Sequence, residues 1–580
     1  MDEGLGAKDY ALEYPGFLQL SPLESHADDP SLKLWQLYLM SERHLVTSFT
    51  IFPTRHSVMN KFSLDATHHD RQNPVTGAES TNSQMTLDYS MSLALTKKWL
   101  TECLTSHNNC LPRAERPLPS RLLYFESGQL QLCLRSKILN DISYVTLSHC
   151  WGDLNILKLT KNTLEAFQLG IPLESLCKTF RDAIFVAGYL GFNYLWIDSL
   201  CIIQDDREDW EKEAPLMSMV YGGASLNIAA TGAKDGNDGL FLERVPMSVR
   251  RSKTCVKMDV NGETKNFQFA DDDIYYRCVG TQPLARRAWA LQERILATRT
   301  IHFSKTELFW ECRTKSACET FPESLPRSMC DQPNFLRKDL PPDWDAIVQL
   351  YSIGRLSYSR DKLIALSGIA QYVQSITKDQ YLAGLWRRDL EETLCWKLLD
   401  SPEPKPTIYR APTWSWASVE GMIMITCSLP SNLRRLYINV MDVLIQRSHN
   451  NQFGEVLSGV LKLGCEALLR GSFVRTLSID STASWDFSDV LPGRALYFMP
   501  VKRYASGPTD RTEGMIIQPT SKERGQYQRV GHFRIVGGSN CDKLDEGLPS
   551  ADIVGEPDDC DVTETITDND NKKWYVITII

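Results

Sequence analysis

The order of apolar segments between Tyr144 and Ala230 constrains this chain more than any other feature. Residues 144–148 (Tyr-Val-Thr-Leu-Ser) read as a short strand. Residues 173–190 then place Leu173, Leu176, Phe180, Ala183, Ile184, Ala187 and Leu190 on one helical face, and Gly191 supplies a closing glycine. Residues 194–197 form a near-continuous apolar run before Asp198, as strands buried on both faces do. Residues 209–221 can form another helix despite Pro215, and residues 226–230 a third strand. Strand, helix, strand, helix, strand is the pattern of an open sheet of parallel strands, because parallel neighbours need a crossover that a helix supplies.

The rest of the chain is read around that core. Its 580 residues give a soft prior of three to five structural units. Residues 1–90 are an N-terminal region, partly loop, with strand or helix candidates at 32–40 and 46–52 and a polar stretch at 62–84 that holds His68 and His69. Residues 91–139 are a flank. It has a helix at 93–104, a Pro-rich turn, and a hairpin whose strands at 122–125 and 130–134 meet at Ser127-Gly128. The core spans 140–312, with a helix at 284–296 and a hairpin of 299–303 and 308–312 at its end. Residues 313–430 read as mostly helical, from 344 to 373 and from 385 to 399. Residues 431–580 read as β-rich, with an acidic insertion at 541–570 before a last strand. The expected class is therefore α/β, with a parallel-sheet core, an N-terminal flank and a larger α+β C-terminal region.

Composition excludes several functions. A net charge of -9 gives no electrostatic reason to expect nucleic acid or an anionic membrane as partner. Sixteen cysteines, with no CxxC pair, are too few for a disulfide scaffold in a chain this long. The acidic start lacks the regions of a signal peptide, and no run of about 18 apolar residues could span a bilayer. The expectation is a cytoplasmic protein with reduced thiols.

Ligands of open α/β sheets bind beyond the carboxyl ends of the strands. Here the first strand ends in Ser148-His149-Cys150-Trp151-Gly152 and the second in Asp198-Ser199, so both groups face one crevice if the strands are parallel. The following helix carries Asp205, Asp206, Asp209 and Glu213. Clustered carboxylates raise one another's pKa and suit acid/base work, whereas acids in a first helical turn also simply cap it. Cys103, His107 and Cys110 are ligand types at close spacing, but a structural zinc needs four ligands and no second local pair supplies the rest, so no metal is assigned. Adjacent Cys150 and His149 point to opposite faces of a strand, which argues against a dyad. Trp414-Ser415-Trp416 alternates like a strand with aromatics packed in the core. Arg286, Arg287, Arg294 and Arg299 could hold phosphates of a dinucleotide or pair with Glu293 and other acids.

These residues carry a resemblance. Residues 144–152 (YVTLSHCWG) are similar to the first motif of the fungal heterokaryon-incompatibility (HET) domain. Residues 195–205 (LWIDSLCIIQD), with Trp210, Glu213, Met217, Tyr221 and Ala229-Ala230-Thr231, resemble its second. Residues 287–294 (RAWALQER), then Arg299 and Phe303, resemble its third, with Ala288 where the family usually has Gly; His149 stands where it often has Tyr. Flanking features also resemble fungal members. They include Trp99 with Cys103, His107 and Cys110; Pro119 with Arg121; Asp361-Lys362-Leu363; and Trp414-Ser415-Trp416.

The resemblance implies a TIR-like, flavodoxin-like core and a role in non-self recognition and regulated cell death. HET domains are regarded as similar to TIR domains, some of which cleave NAD at the nicotinamide–ribose bond with a Glu a few residues past a Trp. Trp210 and Glu213 stand in such a place, one residue closer than usual. The implied catalytic residue is Glu213. Ser148, His149, Trp151, Gly152, Asp198, Arg287, Trp289 and Arg294 are the implied substrate-binding set. No cofactor is implied, and NAD is a candidate substrate. The alternative is a non-catalytic signalling scaffold. Either reading calls for self-association or a protein partner that the sequence does not name.

Overall fold

The computed structural model describes residues 81–111, 118–244, 273–325, 343–425 and most of 434–580, together with strands at 16–22, 35–41, 44–53, 253–260 and 263–271. The chain divides into two compact units. The first comprises Met1–Glu213, Met219–Arg286 and Ala297–Asn334, and the second Ala214–Ser218, Arg287–Leu296 and Phe335–Ile580.

Two sheets build the first unit. Strands β1 (Gly16–Pro22), β2 (Trp35–Ser41) and β3 (His44–Pro53) belong to a five-stranded antiparallel sheet. The candidate at 32–40 is thus a strand, and so is that at 46–52. His68 and His69 lie outside the described residues. Helix α1 (Thr81–Ser106) leads to the hairpin of β4 (Arg121–Glu126) and β5 (Gln129–Leu134). Its turn forms because Ser127 and Gly128 both take positive φ, +49° and +83°, which matches the twist of a two-residue hairpin.

The core follows. Strand β6 (Val145–Ser148) is fully buried, as is β8 (Leu226–Ala229); β7 (Tyr194–Trp196) is buried at Leu195 and Trp196. Between β6 and β7 run α2 (Leu164–Leu169) and α3 (Lys178–Tyr189), and α3 buries Phe180, Ala183, Val186 and Ala187. Between β7 and β8 run α4 (Asp198–Cys201), α5 (Arg207–Glu213) and α6 (Met217–Gly223). The single helix expected over 209–221 is broken at Ala214–Leu216 into a turn of 3-10 helix. Pro215 has no N–H to give an α-helix, which accounts for the break.

Strands β9 (Lys253–Val260) and β10 (Glu263–Asp271) complete the five-stranded sheet in the order β1-β2-β3-β10-β9. Strands β11 (Arg299–Phe303), β12 (Leu308–Cys312) and β13 (Ser316–Cys318) complete the other, which has eight strands in the order β13-β12-β11-β8-β6-β7-β4-β5. The hairpin expected at 299–312 is present, and β11 also pairs in parallel with β8. Four parallel strands, β7-β6-β8-β11, therefore lie in the middle, in chain order 2-1-3-4, with antiparallel pairs on both flanks. The fold is mixed α/β, and the connection order reverses between β6 and β8.

The second unit contains α7 (Ala288–Leu296), α8 (Trp344–Ser352) and α9 (Ser367–Thr377). Of the helix expected over 385–399, only Leu390–Thr393 is helical, between the short strands Leu385–Trp386 and Lys397–Leu398. Tyr381–Leu382 and Leu385–Trp386 pair around Ala383 and Gly384, whose φ values of +49° and +97° close a tight turn. The Gly384 carbonyl accepts from the indoles of Trp344 and Trp416 at 2.9 and 2.8 Å. Trp414 and Trp416 are buried as expected, but Trp416–Ser418 is a 3-10 turn and not a strand. The C-terminal region forms an eleven-stranded, chiefly antiparallel sheet. Most of the acidic insertion lies outside the described residues.

Candidate functional site

The carboxyl ends of β6 and β7 bring three predicted residues, His149, Trp151 and Asp198, together around the Asp198 carboxylate. Asp198 opens α4, and its Oδ1 accepts the Ser199 N–H at 2.7 Å. The Trp151 indole donates to Asp198 Oδ2 at 2.9 Å, and His149 Nδ1 lies 3.7 Å from Asp198 Oδ1. The buried His149 ring stacks on Trp151 at 6.5 Å and meets Phe180 of α3 edge-on at 5.0 Å. Lys158 stands over the outer Trp151 ring, 5.1 Å from its centroid. Ser148 is turned to the next strand: its Oγ lies 3.1 and 3.2 Å from the side-chain amide of Asn227 on β8, which also accepts from Thr146 at 3.0 Å.

Gly152 explains itself by geometry. Its φ is +63°, and a Cβ there would stand 2.5 Å from the Cβ of Asp235. Only glycine combines that turn with that approach. The loop after β6 thus packs on the loop after β8. The chain itself occupies this part of the edge where the sheet order reverses.

Glu213 belongs to a second cluster. It ends α5, is buried, and has Ser120, Arg121 and Asp209 as neighbours. Arg121 of β4 donates from Nη1 to Asp209 at 3.1 Å and to the Cys201 carbonyl at 2.8 Å, with Nη2 also on Asp209. Glu213 Oε1 is 3.9 Å from Arg121 Nη1. Burial pushes the Glu213 carboxyl above the usual range, Ser120 and Arg121 pull it back, and Asp209 adds to the rise. Asp209 also accepts the Ile203 N–H at 2.8 Å and Asp205 the Lys161 N–H at 2.8 Å, so these acids hold backbone in place. Glu213 makes no hydrogen bond or ion pair to Ser148 or Trp151 among the described residues.

Residues 144–293 match the family model of the heterokaryon incompatibility protein (HET). The chain carries a HET domain. Neither the curated proteins nor the solved structures gave a match.

The HET match runs from β6 into α7 and so crosses from the first compact unit to the second. Arg287, Trp289 and Arg294 fall in the second. There the Ala288 N–H donates to the Arg355 carbonyl at 3.0 Å, and a Cβ on Gly354 would stand 2.7 Å from the Cα of Ala288. The glycine of this close approach is at 354, and Ala288 does not require positive φ.

Sequence reasoning missed one arrangement inside the HET domain's sheet. Thr231 Oγ1 lies 2.9 Å from His302 Nδ1, and His302 Nε2 lies 2.7 Å from Glu311 Oε2, with Tyr275 donating to the same carboxylate at 2.8 Å. Hydroxyl, imidazole and carboxylate stand in triad order. Thr231 and His302 are 1% and 2% exposed, which closes the hydroxyl to a substrate and makes the relay a tie between β8, β11 and β12. No local spacing announces it, because its members come from the turn after β8, from β11 and from β12. Arg121 likewise entered only through the flanking resemblance.

Proposed function

We propose that the chain acts in non-self recognition and regulated cell death as a signalling module that works through protein contacts. One observation carries this reading: Ser148, Asp198 and Glu213 of the candidate set are held by neighbours in the same chain. Ser148 is bonded to Asn227, Asp198 to Trp151 and the Ser199 N–H, and Glu213 lies beside Arg121 and Ser120. Such groups build a rigid strand edge rather than wait for a substrate. In this reading the activating event is self-association or the arrival of a protein partner.

A second reading is favoured by a different observation. Burial raises the proton affinity of Glu213, as in carboxyls poised for acid/base work. With the TIR resemblance that the HET motifs imply, that supports cleavage of NAD by water at the nicotinamide–ribose bond, giving nicotinamide, ADP-ribose and a proton. A carboxylate would steady the oxocarbenium-like transition state.

One experiment separates the two. The full-length protein is incubated with NAD, with and without a crowding agent, beside Glu213→Gln, and free nicotinamide is measured. Both proteins are also over-expressed in fungal hyphae. The signalling reading expects no release and growth arrest from both proteins. Release by the wild type that the variant lacks, with arrest lost in the variant, replaces it with the hydrolase reading.

A further inference from the structure

The three ligand-type residues of the N-terminal flank acquire a fourth in the folded chain. Cys103 lies near the C-terminal end of α1, and His107 and Cys110 follow in the next turn. Cys312 ends β12, far away in sequence, and β12 packs against α1. The three sulfurs and one imidazole nitrogen all lie within 4.8 Å of one another.

We propose that Cys103, His107, Cys110 and Cys312 bind a structural zinc ion that fastens the end of α1 to the edge of the eight-stranded sheet. Tetrahedral zinc has bonds of about 2.3 Å to sulfur and ~2.0–2.1 Å to nitrogen, which sets sulfur–sulfur edges near ~3.8 Å and sulfur–nitrogen edges near ~3.5 Å. Cys312 Sγ is 3.4 Å from His107 Nδ1, so an ordinary tetrahedral edge is already formed. Three thiolates and an imidazole select zinc over the oxygen-seeking magnesium and calcium. Four protein ligands fill the tetrahedron, which marks a structural site rather than a catalytic one.

The surroundings are those of a metal centre. His107 turns its other nitrogen, Nε2, to Glu102 at 3.7 Å, the carboxylate–histidine pairing that orients metal-bound imidazoles. Glu102 is itself held by Lys315 Nζ at 2.7 Å. The Lys315 N–H points at Cys312 Sγ at 3.4 Å, and Thr314 Oγ1 stands 3.5 Å from Cys110 Sγ. The buried Arg299 guanidinium donates to Cys103 Sγ at 3.1 Å and to the Cys110 carbonyl at 2.6 Å. Three thiolates on one zinc leave a net negative charge, and Arg299 is the cation that offsets it. A disulfide would use two of the sulfurs and leave the imidazole and the third thiol without a common purpose.

The test uses the full-length protein, purified from zinc-supplied cells without chelator. Metal analysis is expected to find one zinc per chain, and zinc-edge X-ray absorption a shell of three sulfurs and one nitrogen. Cys110→Ser and Cys312→Ser should each lose most of the zinc, while Cys133→Ser, on β5 and outside the cluster, keeps it. The absorption measurement needs no variant, so a misfolded mutant does not decide the matter. Wild-type protein without stoichiometric zinc, a shell of nitrogen and oxygen only, undiminished zinc in both cluster variants, or a disulfide within the cluster in freshly purified protein would each overturn the site.

Discussion

Arg529 of the second unit and Arg121 of the first are both enclosed guanidiniums, and they are held on different terms. Arg529 is 0% exposed. Its Nε lies 2.9 Å from Asp486, its two terminal nitrogens donate to the carbonyls of Leu394 and Trp396, and the Trp396 ring covers it at 3.4 Å. Arg121 keeps 12% of its side chain exposed and serves two carboxylates unequally, Asp209 closely and Glu213 at 3.9 Å. A closed charge with its donors satisfied reports architecture. A charge that keeps some exposure and holds one of its two acids at 3.9 Å is less tightly fixed. The difference makes the Arg121 cluster the less tightly closed of the two.

The largest expected effect tests the closed side of that comparison. Arg529→Ala strands the buried Asp486 and should cost about 3–5 kcal/mol. Arg121→Ala, where water can reach the acids, should cost about 1–2 kcal/mol. Urea denaturation of both variants checks this, and equal losses would erase the distinction.

A smaller effect sharpens it through pH. Burial raises Asp361 from 3.8 to about 6, so the folded state holds its proton more tightly than the unfolded one. Its contribution is therefore full below pH ~4 and is lost as pH rises towards 6. Asp361→Asn should overtake the wild type in stability across that window, by on the order of 2 kcal/mol at neutral pH. Unfolding free energies measured from pH 4 to 8 give the curve, and a difference that does not vary with pH contradicts it. Glu213→Gln should follow the same sign, since burial raises that carboxyl too. The smallest effect belongs to Asp198→Asn. One amide oxygen replaces two acceptors, so either the Trp151 or the Ser199 N–H loses its partner, and urea denaturation should register a loss of about 1 kcal/mol.

What the sequence made legible follows from range. The β7 run and the Ser127-Gly128 turn depend on neighbours in the chain, and both are where the pattern put them. The parallel partner of β11 was not legible, because a strand paired on one side or on two has the same apolar texture. The region 385–399 misled because its apolar spacing suits a helix, while positive φ at Ala383 and Gly384 draws Leu385 and Trp386 into a hairpin and leaves only Leu390–Thr393 helical. At the candidate site, His149, Trp151 and Asp198 could be foreseen as strand-end neighbours. Arg121 beside Glu213 and Cys312 beside His107 could not, because each pair joins residues far apart in the chain that only tertiary packing brings together.

The topology also bears on how the HET domain can be handled as a piece. Its family limits end at residue 293, before β11 begins at Arg299. A fragment cut there would strip β8 of its parallel partner and bare a row of unpaired N–H and C=O groups on a fully buried strand. Such an edge recruits other chains. Aggregation of that fragment would reflect the missing strand, and would say nothing of how the intact protein assembles.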